Sequence, residues 1–156
     1  MTRHPQRGFT LLELLVVLVI VGIMLGFVTL NAMPSQRQAL QNEAQRIALL
    51  LQLARDEAIV RNRPIAFEVD QYRYRFWIRD ENNAWQPIEK DDMLREREFK
   101  RSPVNLAIDP PMMDPDNRLR IVFGREPVDK PFVLSLSLGE SSVAIRADGI
   151  GNFTVD

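Results

Sequence analysis

Phe9 and Glu13 stand four residues apart at the head of an apolar run, RGFTLLELLVVLVIVGIMLGFVTL, in which Glu13 is the only charge after Arg7. A carboxylate in a membrane-length helix costs about 2.5–3.5 kcal/mol at the bilayer centre and less near an end. In the first helical turn the macrodipole favours a negative charge and offsets part of that cost. A cut between Gly8 and Phe9 would place a new α-ammonium at nearly the depth of Glu13. The ammonium of a neighbouring copy could then pair with the acid. The chemistry this spacing offers is an ion pair between chains, an assembly contact and not a catalytic one.

Elsewhere the residue types for catalysis are missing or lack partners. His4 is the single histidine and precedes the apolar run, so a cut after Gly8 removes it; there is no cysteine, which excludes disulfides and thiolate chemistry. Ser135 and Ser137 alternate as in a strand and have no base partner. No glycine loop is built to cradle phosphate. Asp109, Asp114, Asp116 and Asn117 offer hard oxygen ligands of the kind calcium takes, but three prolines among residues 109–117 read better as a braced turn. No metal or cofactor is expected. Arg73, Arg75 and Arg79, interleaved with aromatics, could meet phosphates and bases. With Glu68, Asp70, Asp80 and Glu81 adjacent, we read them as the solvated or partner-facing side of an amphipathic strand and expect no nucleic-acid partner.

These residues need elements to position them. Residues 9–30 form the apolar run, and about 20 such residues cross the hydrocarbon core as a helix. A cleaved secretory signal has a shorter apolar region and an A-x-A site after it. Here Asn31, Ala32, Met33 and Pro34 follow, so the segment reads as retained. Arg3 and Arg7 ahead of it hold the N-terminus in the cytoplasm and send the rest across, against Arg37 and Arg46 on the far side. Gly22 and Gly26 form a GxxxG that permits close helix approach, although glycines are also common in membrane helices without that role.

Beyond the span, Leu40, Ala44, Ile47, Leu51, Ala54 and Ala58 recur at helical spacing and make one apolar stripe. Glu57 and Arg61 face each other at i,i+4. The helix should end before Pro64, which disfavours the α region at Arg63. Pro34 either kinks one long helix or starts a second. Strands are expected at residues 65–69, 72–79 (Tyr72, Tyr74, Phe76 and Ile78 on one face), 85–88, 119–123, 132–138, 143–147 and 150–155. Residues 93–100 fit a charged strand or a short helix, and Asp148-Gly149 signals a two-residue hairpin turn. A chain of 156 residues suggests about one domain. The fold class is α+β: a long N-terminal helix whose first half spans the membrane, then antiparallel sheet laid on the apolar stripe. The segments are 1–8, a basic leader; 9–30, transmembrane helix; 31–63, amphipathic helix; and 64–156, a β domain. The formal charge of −1, falling to −3 without Arg3 and Arg7, does not indicate a nucleic-acid binder.

Gly8-Phe9-Thr10-Leu11-Leu12-Glu13, followed by an apolar run, resembles the processing site of type IV pilin-like proteins. In that family an aspartyl prepilin peptidase cleaves after the glycine and methylates the new N-terminal phenylalanine. The resemblance implies cleavage between Gly8 and Phe9, N-methylation of Phe9, an assembly role for Glu13 and a pilin-like fold. QRIALLLQLARDEAIVRNRPIAF and the ending ADGIGNFTVD resemble the H-type minor pseudopilins of the type II secretion system, and also suit a minor pilin of a type IV pilus acting in fibre initiation or DNA uptake. The pseudopilin resemblance implies a structural protein of the inner membrane with its C-terminal domain in the periplasm. Its implied partners are the major pseudopilin, other minor pseudopilins, the peptidase and membrane lipid, in a filament that pushes folded proteins through an outer-membrane channel. A signal-anchored periplasmic enzyme or binding module would need a constellation that the sequence does not contain.

Overall fold

The computed structural model describes the backbone of residues 10–31 and 35–156, and the side chains of residues 10–24 and 35–156. Two compact units divide between Ser35 and Gln36. The first contains helix α1, Leu11–Asn31, whose sequence is apolar apart from Glu13, Thr29 and Asn31. Pro34 and the segment 1–9 lie outside the described residues.

The second unit opens with helix α2, Gln36–Val60. All six residues of the apolar stripe are buried, and Ala48 and Leu50 widen it. The helix stops earlier than Pro64 alone would require. Asn62 adopts φ 51°, its N–H donates to Ile59 O at 3.1 Å, and the N–H of Arg63 donates to Ala58 O at 3.0 Å. This is a Schellman cap with asparagine in the left-handed position. Glu57 and Arg61 pair as their spacing predicts.

Two antiparallel sheets pack on the helix, where one was expected. The first has the order β3-β2-β1-β6, with β4 pairing β2. Its strands are β1, Ile65–Val69; β2, Arg73–Arg79; β3, Trp85–Pro87; β4, Arg97–Glu98; and β6, Leu119–Phe123. The second has the order β5-β7-β8-β9, built from β5, Asn105–Asp109; β7, Phe132–Leu138; β8, Ser141–Ala147; and β9, Phe153–Val155. Alternation decides the faces. Phe67 lies opposite Phe76 on one side and Ile121 on the other, and these join Leu134, Leu136, Val143 and Ile145 in a single core with the α2 stripe.

Aspartates set the turns and correct several expectations. Asp70 Oδ1 accepts the N–H groups of Tyr72 and Arg73 at 2.8 and 3.0 Å, so Tyr72 belongs to the turn and is 58 % exposed. Asp91 holds Met93 and Leu94 in the same way, and the ambiguous segment 93–100 becomes a turn followed by the two-residue strand β4. Asp148-Gly149 does not close a two-residue hairpin. The Asp148 carboxylate accepts from the N–H groups of Ile150, Gly151 and Asn152, which extends the loop to residues 148–152 and delays β9 to Phe153. Strand β5 was not anticipated.

Candidate functional site

At the start of α1, Thr10 is the N-cap. Its Oγ1 accepts the N–H of Glu13 at 3.3 Å, and its carbonyl accepts from Glu13 and Leu14 at 3.1 and 3.3 Å. Thr10-x-x-Glu13 is thus the spacing of a capping box, which places Glu13 at the third helical position, where the dipole is most favourable to it. The cap engages the backbone of Glu13 and leaves the role of its carboxylate open. Gly8 and Phe9 lie outside the described residues. A Cβ placed on Gly22 would meet nothing within 4 Å, and Gly26 lies one turn further along the same helix. The large aliphatic side chains from Leu11 to Met24 are all exposed, by 44 to 85 %. Among the described residues no helix is long and apolar enough to cross a membrane.

The arginine side of β2 is more ordered than an amphipathic strand requires. Glu68, on β1, is 4 % exposed and lies opposite Arg75 on β2 and Arg120 on β6. Arg75 donates to Glu68 Oε1 through Nε at 2.8 Å and Nη2 at 2.5 Å. Arg120 donates to Oε2, and Arg118 Nη1 stands 3.6 Å from Oε1. Burial pushes the Glu68 carboxyl up, but the bonds from Arg120 and Arg75 outweigh it and hold the group below its usual value. The guanidiniums of Arg75 and Arg120 stand 4.9 and 5.9 Å from the Trp77 ring centroid, and those of Arg79 and Arg120 stand 5.0 and 5.9 Å from that of Trp85. Three cations and two indoles therefore alternate across the sheet. Sequence reading saw the interleaving but not the buried acid beneath it.

The proline-rich turn is braced by one carboxylate. Asp114 Oδ1 accepts the N–H groups of Asp116 and Arg118 at 2.9 and 2.8 Å. Its Oδ2 takes Arg118 Nε at 3.1 Å and lies 3.3 Å from Arg120 Nη2. Burial raises the Asp114 carboxyl, but the Arg118 N–H and the two guanidiniums bring it below the ordinary range. Asp109 instead lies on β5 opposite Val133, and Asn117 supplies a left-handed turn residue at φ 60°. Among the described residues, no three acidic or histidine side chains gather as a metal ion would need.

Two further groups were missed. Arg55 sits four residues beyond Leu51 on the buried face of α2 and is 8 % exposed. Its Nη2 donates to Pro127 O and, at 3.1 Å, to Ile150 O, and its Nε lies 3.9 Å from Asp129 Oδ2. This explains the glycines of the C-terminal stretch: a Cβ on Gly151 (φ +116°) would sit 2.7 Å from Arg55 Nη1, and one on Gly149 (φ +82°) would sit 2.4 Å from Asp129 O. Glu43, also on the buried face, accepts from Tyr74 Oη at 3.1 Å. Burial, aided by the Glu43 charge, pushes the Tyr74 phenol up to about 12. A charge at a stripe position of α2 was the signal available for both.

Residues 3–29 match the family model of the prokaryotic N-terminal methylation motif, and residues 43–151 match that of type II transport protein GspH. Type II secretion system protein H of Pseudomonas aeruginosa is 36 % identical over 90 residues, covering 56 % of this chain and 52 % of that protein. The chain thus spans about half the length of the curated relatives it matches. Among solved structures, the minor pseudopilin EpsH from the type II secretion system of Vibrio cholerae superposes with a TM-score of 0.61 at 17 % identity, covering 78 % of this chain and 95 % of that one. The type IV minor pilin FimU of Pseudomonas aeruginosa gives 0.55 at 14 % identity, covering 78 % and 91 %. Both likenesses are of fold, and the pilin-like fold expected from the sequence is the one observed.

Proposed function

The chain belongs to the type II transport protein GspH family, and from that premise we propose that it is an H-type minor pseudopilin of a type II secretion system, a structural subunit rather than an enzyme. The observation that carries this reading is the presence in one chain of the methylation motif over residues 3–29 and the GspH match over residues 43–151. In this reading residues 1–8 are the cytoplasmic leader, which a prepilin peptidase removes after Gly8, and Phe9 becomes the N-methylated terminus. A methylated amine keeps its positive charge, and it pairs with Glu13 of the neighbouring subunit. Residues 9–30 lie in the lipid of the inner membrane, where Gly22 and Gly26 let a partner helix approach. Helix α2, Gln36–Val60, is the amphipathic half, and with residues 64–156 it makes up the periplasmic domain. The neighbours are the major pseudopilin and the other minor ones, and the work of the assembly is the export of folded proteins.

The exposed aliphatic sides of α1 support this account, since a helix apolar all round needs lipid or other helices around it. The Thr10 cap supports the separate role of the Glu13 carboxylate, because the cap bonds the Glu13 backbone and needs no acid there. The likeness to FimU keeps a type IV minor pilin as the second reading.

Two measurements test the proposal. Mass spectrometry of membrane-extracted protein should give a chain beginning at N-methylated Phe9; an intact Met1, or a cut after the apolar run, defeats the pilin-like reading. Deleting the protein should trap normally secreted hydrolases in the periplasm while twitching and transformation continue, with export restored by the full chain but not by Gly8→Val. Normal export with lost twitching would move the assignment to the pilus.

A further inference from the structure

The five-member stack on the outward side of the first sheet leaves one cation without an acid. Arg75 is paired with Glu68 and Glu96, and Arg120 with Glu68 and Asp114. Arg79 has no carboxylate within 4.0 Å among the described residues, and its contact is the Trp85 ring. Three N–H groups on this face, Arg79 Nε, Trp77 Nε1 and Arg120 Nε, are buried and find no acceptor among the described residues. A buried donor left without an acceptor loses its hydration and gains no bond in return. A fold that needed this face only as a lid over Ala66 and Glu68 would do better with apolar residues. Across two strands, Val122 lies in register with Ala66 and Trp77 and is 48 % exposed. An apolar contact thus lies about 10 Å away across the sheet. Arginine and tryptophan beside an exposed aliphatic is the composition of the energetic centre of a protein interface.

We propose that the outward face of the first sheet, centred on Arg79, Trp85 and Val122, is a docking surface for a neighbouring protein subunit that brings a carboxylate to Arg79. The proposal rests on the reading of this chain as a filament subunit. A carboxylate laid against the guanidinium takes Nε and a terminal nitrogen together in the bidentate manner. Trp85, on the three-residue edge strand β3, lies against that guanidinium. Nucleic acid fits poorly for two reasons visible in the geometry. The other arginines of the stack are already neutralised by Glu68, Glu96 and Asp114, and guanidiniums stand over the indole rings on which a base would stack. What remains is one cation of the stack with a ring and no acid beside it, which suits one acidic side chain and not a phosphate backbone.

The test uses the full-length chain in cells, with the photoreactive residue p-benzoylphenylalanine placed at Val122. Irradiation should give a protein adduct whose mapped peptide carries an aspartate or glutamate. Arg79→Glu should lower the adduct yield by about tenfold or more, and Arg79→Gln, which can still lie over Trp85, by less. Replacing the mapped acid with lysine in the partner should restore the yield in the Arg79→Glu background. Thermal unfolding of each variant guards against a folding defect; if Arg79→Glu is unstable, Arg79→Gln and neutralisation of the mapped acid in the partner, against the unchanged chain, decide. An adduct confined to nucleic acid, no adduct above the unirradiated control, or a yield indifferent to Arg79 overturns the proposal. Adducts in a strain whose export does not depend on this protein would overturn the secretion reading and leave the docking surface standing. Export that depends on the protein while Val122 gives no adduct does the reverse.

Discussion

Glu68 shows how much one buried acid can organise, and its titration makes that measurable. In the unfolded chain it titrates near the usual 4.5, and in the fold Arg120 and Arg75 hold it lower. Between those two values the unfolded state binds more protons, so stability rises with pH. Its contribution is fully present above 4.5 and is lost as pH falls through the folded value. Glu68→Gln should therefore flatten the acid side of the stability profile. It should also lower stability near neutrality by about 2 kcal/mol, because Arg75 and Arg120 keep only a neutral acceptor. Urea midpoints across the acid range, wild type against variant, check both; parallel profiles would show that other carboxylates set the acid limb. Part of this was legible in the sequence. A hairpin turning at residues 70–72 brings residue 68 opposite 75, so the Glu68–Arg75 pair follows from register alone. Arg120 does not, since nothing local places β6 beside β1.

At the scale of elements, the strong periodic segments read well and the capped ends did not. The apolar stripe of α2 and the bounds of β1, β6 and β7 agree with the expected spacing, because burial on one face imposes a period that tertiary context reinforces. The end of α2 differs because Asn62, and not Pro64, turns the chain. Asparagine tolerates the left-handed region, whereas alanine pays about 1 kcal/mol there. Asn62→Ala should destabilise the domain by about that amount, and Asn62→Gly should be neutral or slightly stabilising. Thermal unfolding of the two variants side by side tests this; equal losses would mean that the asparagine side chain, and not its φ, matters. The loop at residues 148–152 was misjudged for a related reason: a carboxylate that can accept three N–H groups outcompetes the tight hairpin its dipeptide suggests. β5 escaped notice because its five residues run straight into a proline-rich turn.

For the whole molecule, the proposed assembly contacts fall in both units, and the packed core in the second. Helix α1 carries Glu13, and the body formed by α2 and its two sheets carries Arg79 on β2. Glu13→Val removes a charge from an apolar helix and leaves the Thr10 cap to the backbone. Membrane residence should hold or improve, while cross-linking to partner subunits in the membrane should fall by about tenfold or more, since the neighbour's ammonium loses its counter-ion. Undiminished cross-linking would remove the assembly role from Glu13. The Arg55 clamp bears on the order of events in time. Arg55 is made early, but the carbonyls that hold it lie 72 and 95 residues later in the chain, and bringing such distant segments together carries a loop-closure cost. A growing chain therefore lacks the second of these acceptors until residue 150 has emerged. The Arg55 clamp can close only after that point, and a chain cut short before Ile150 should be cleaved by proteases faster than one that includes it.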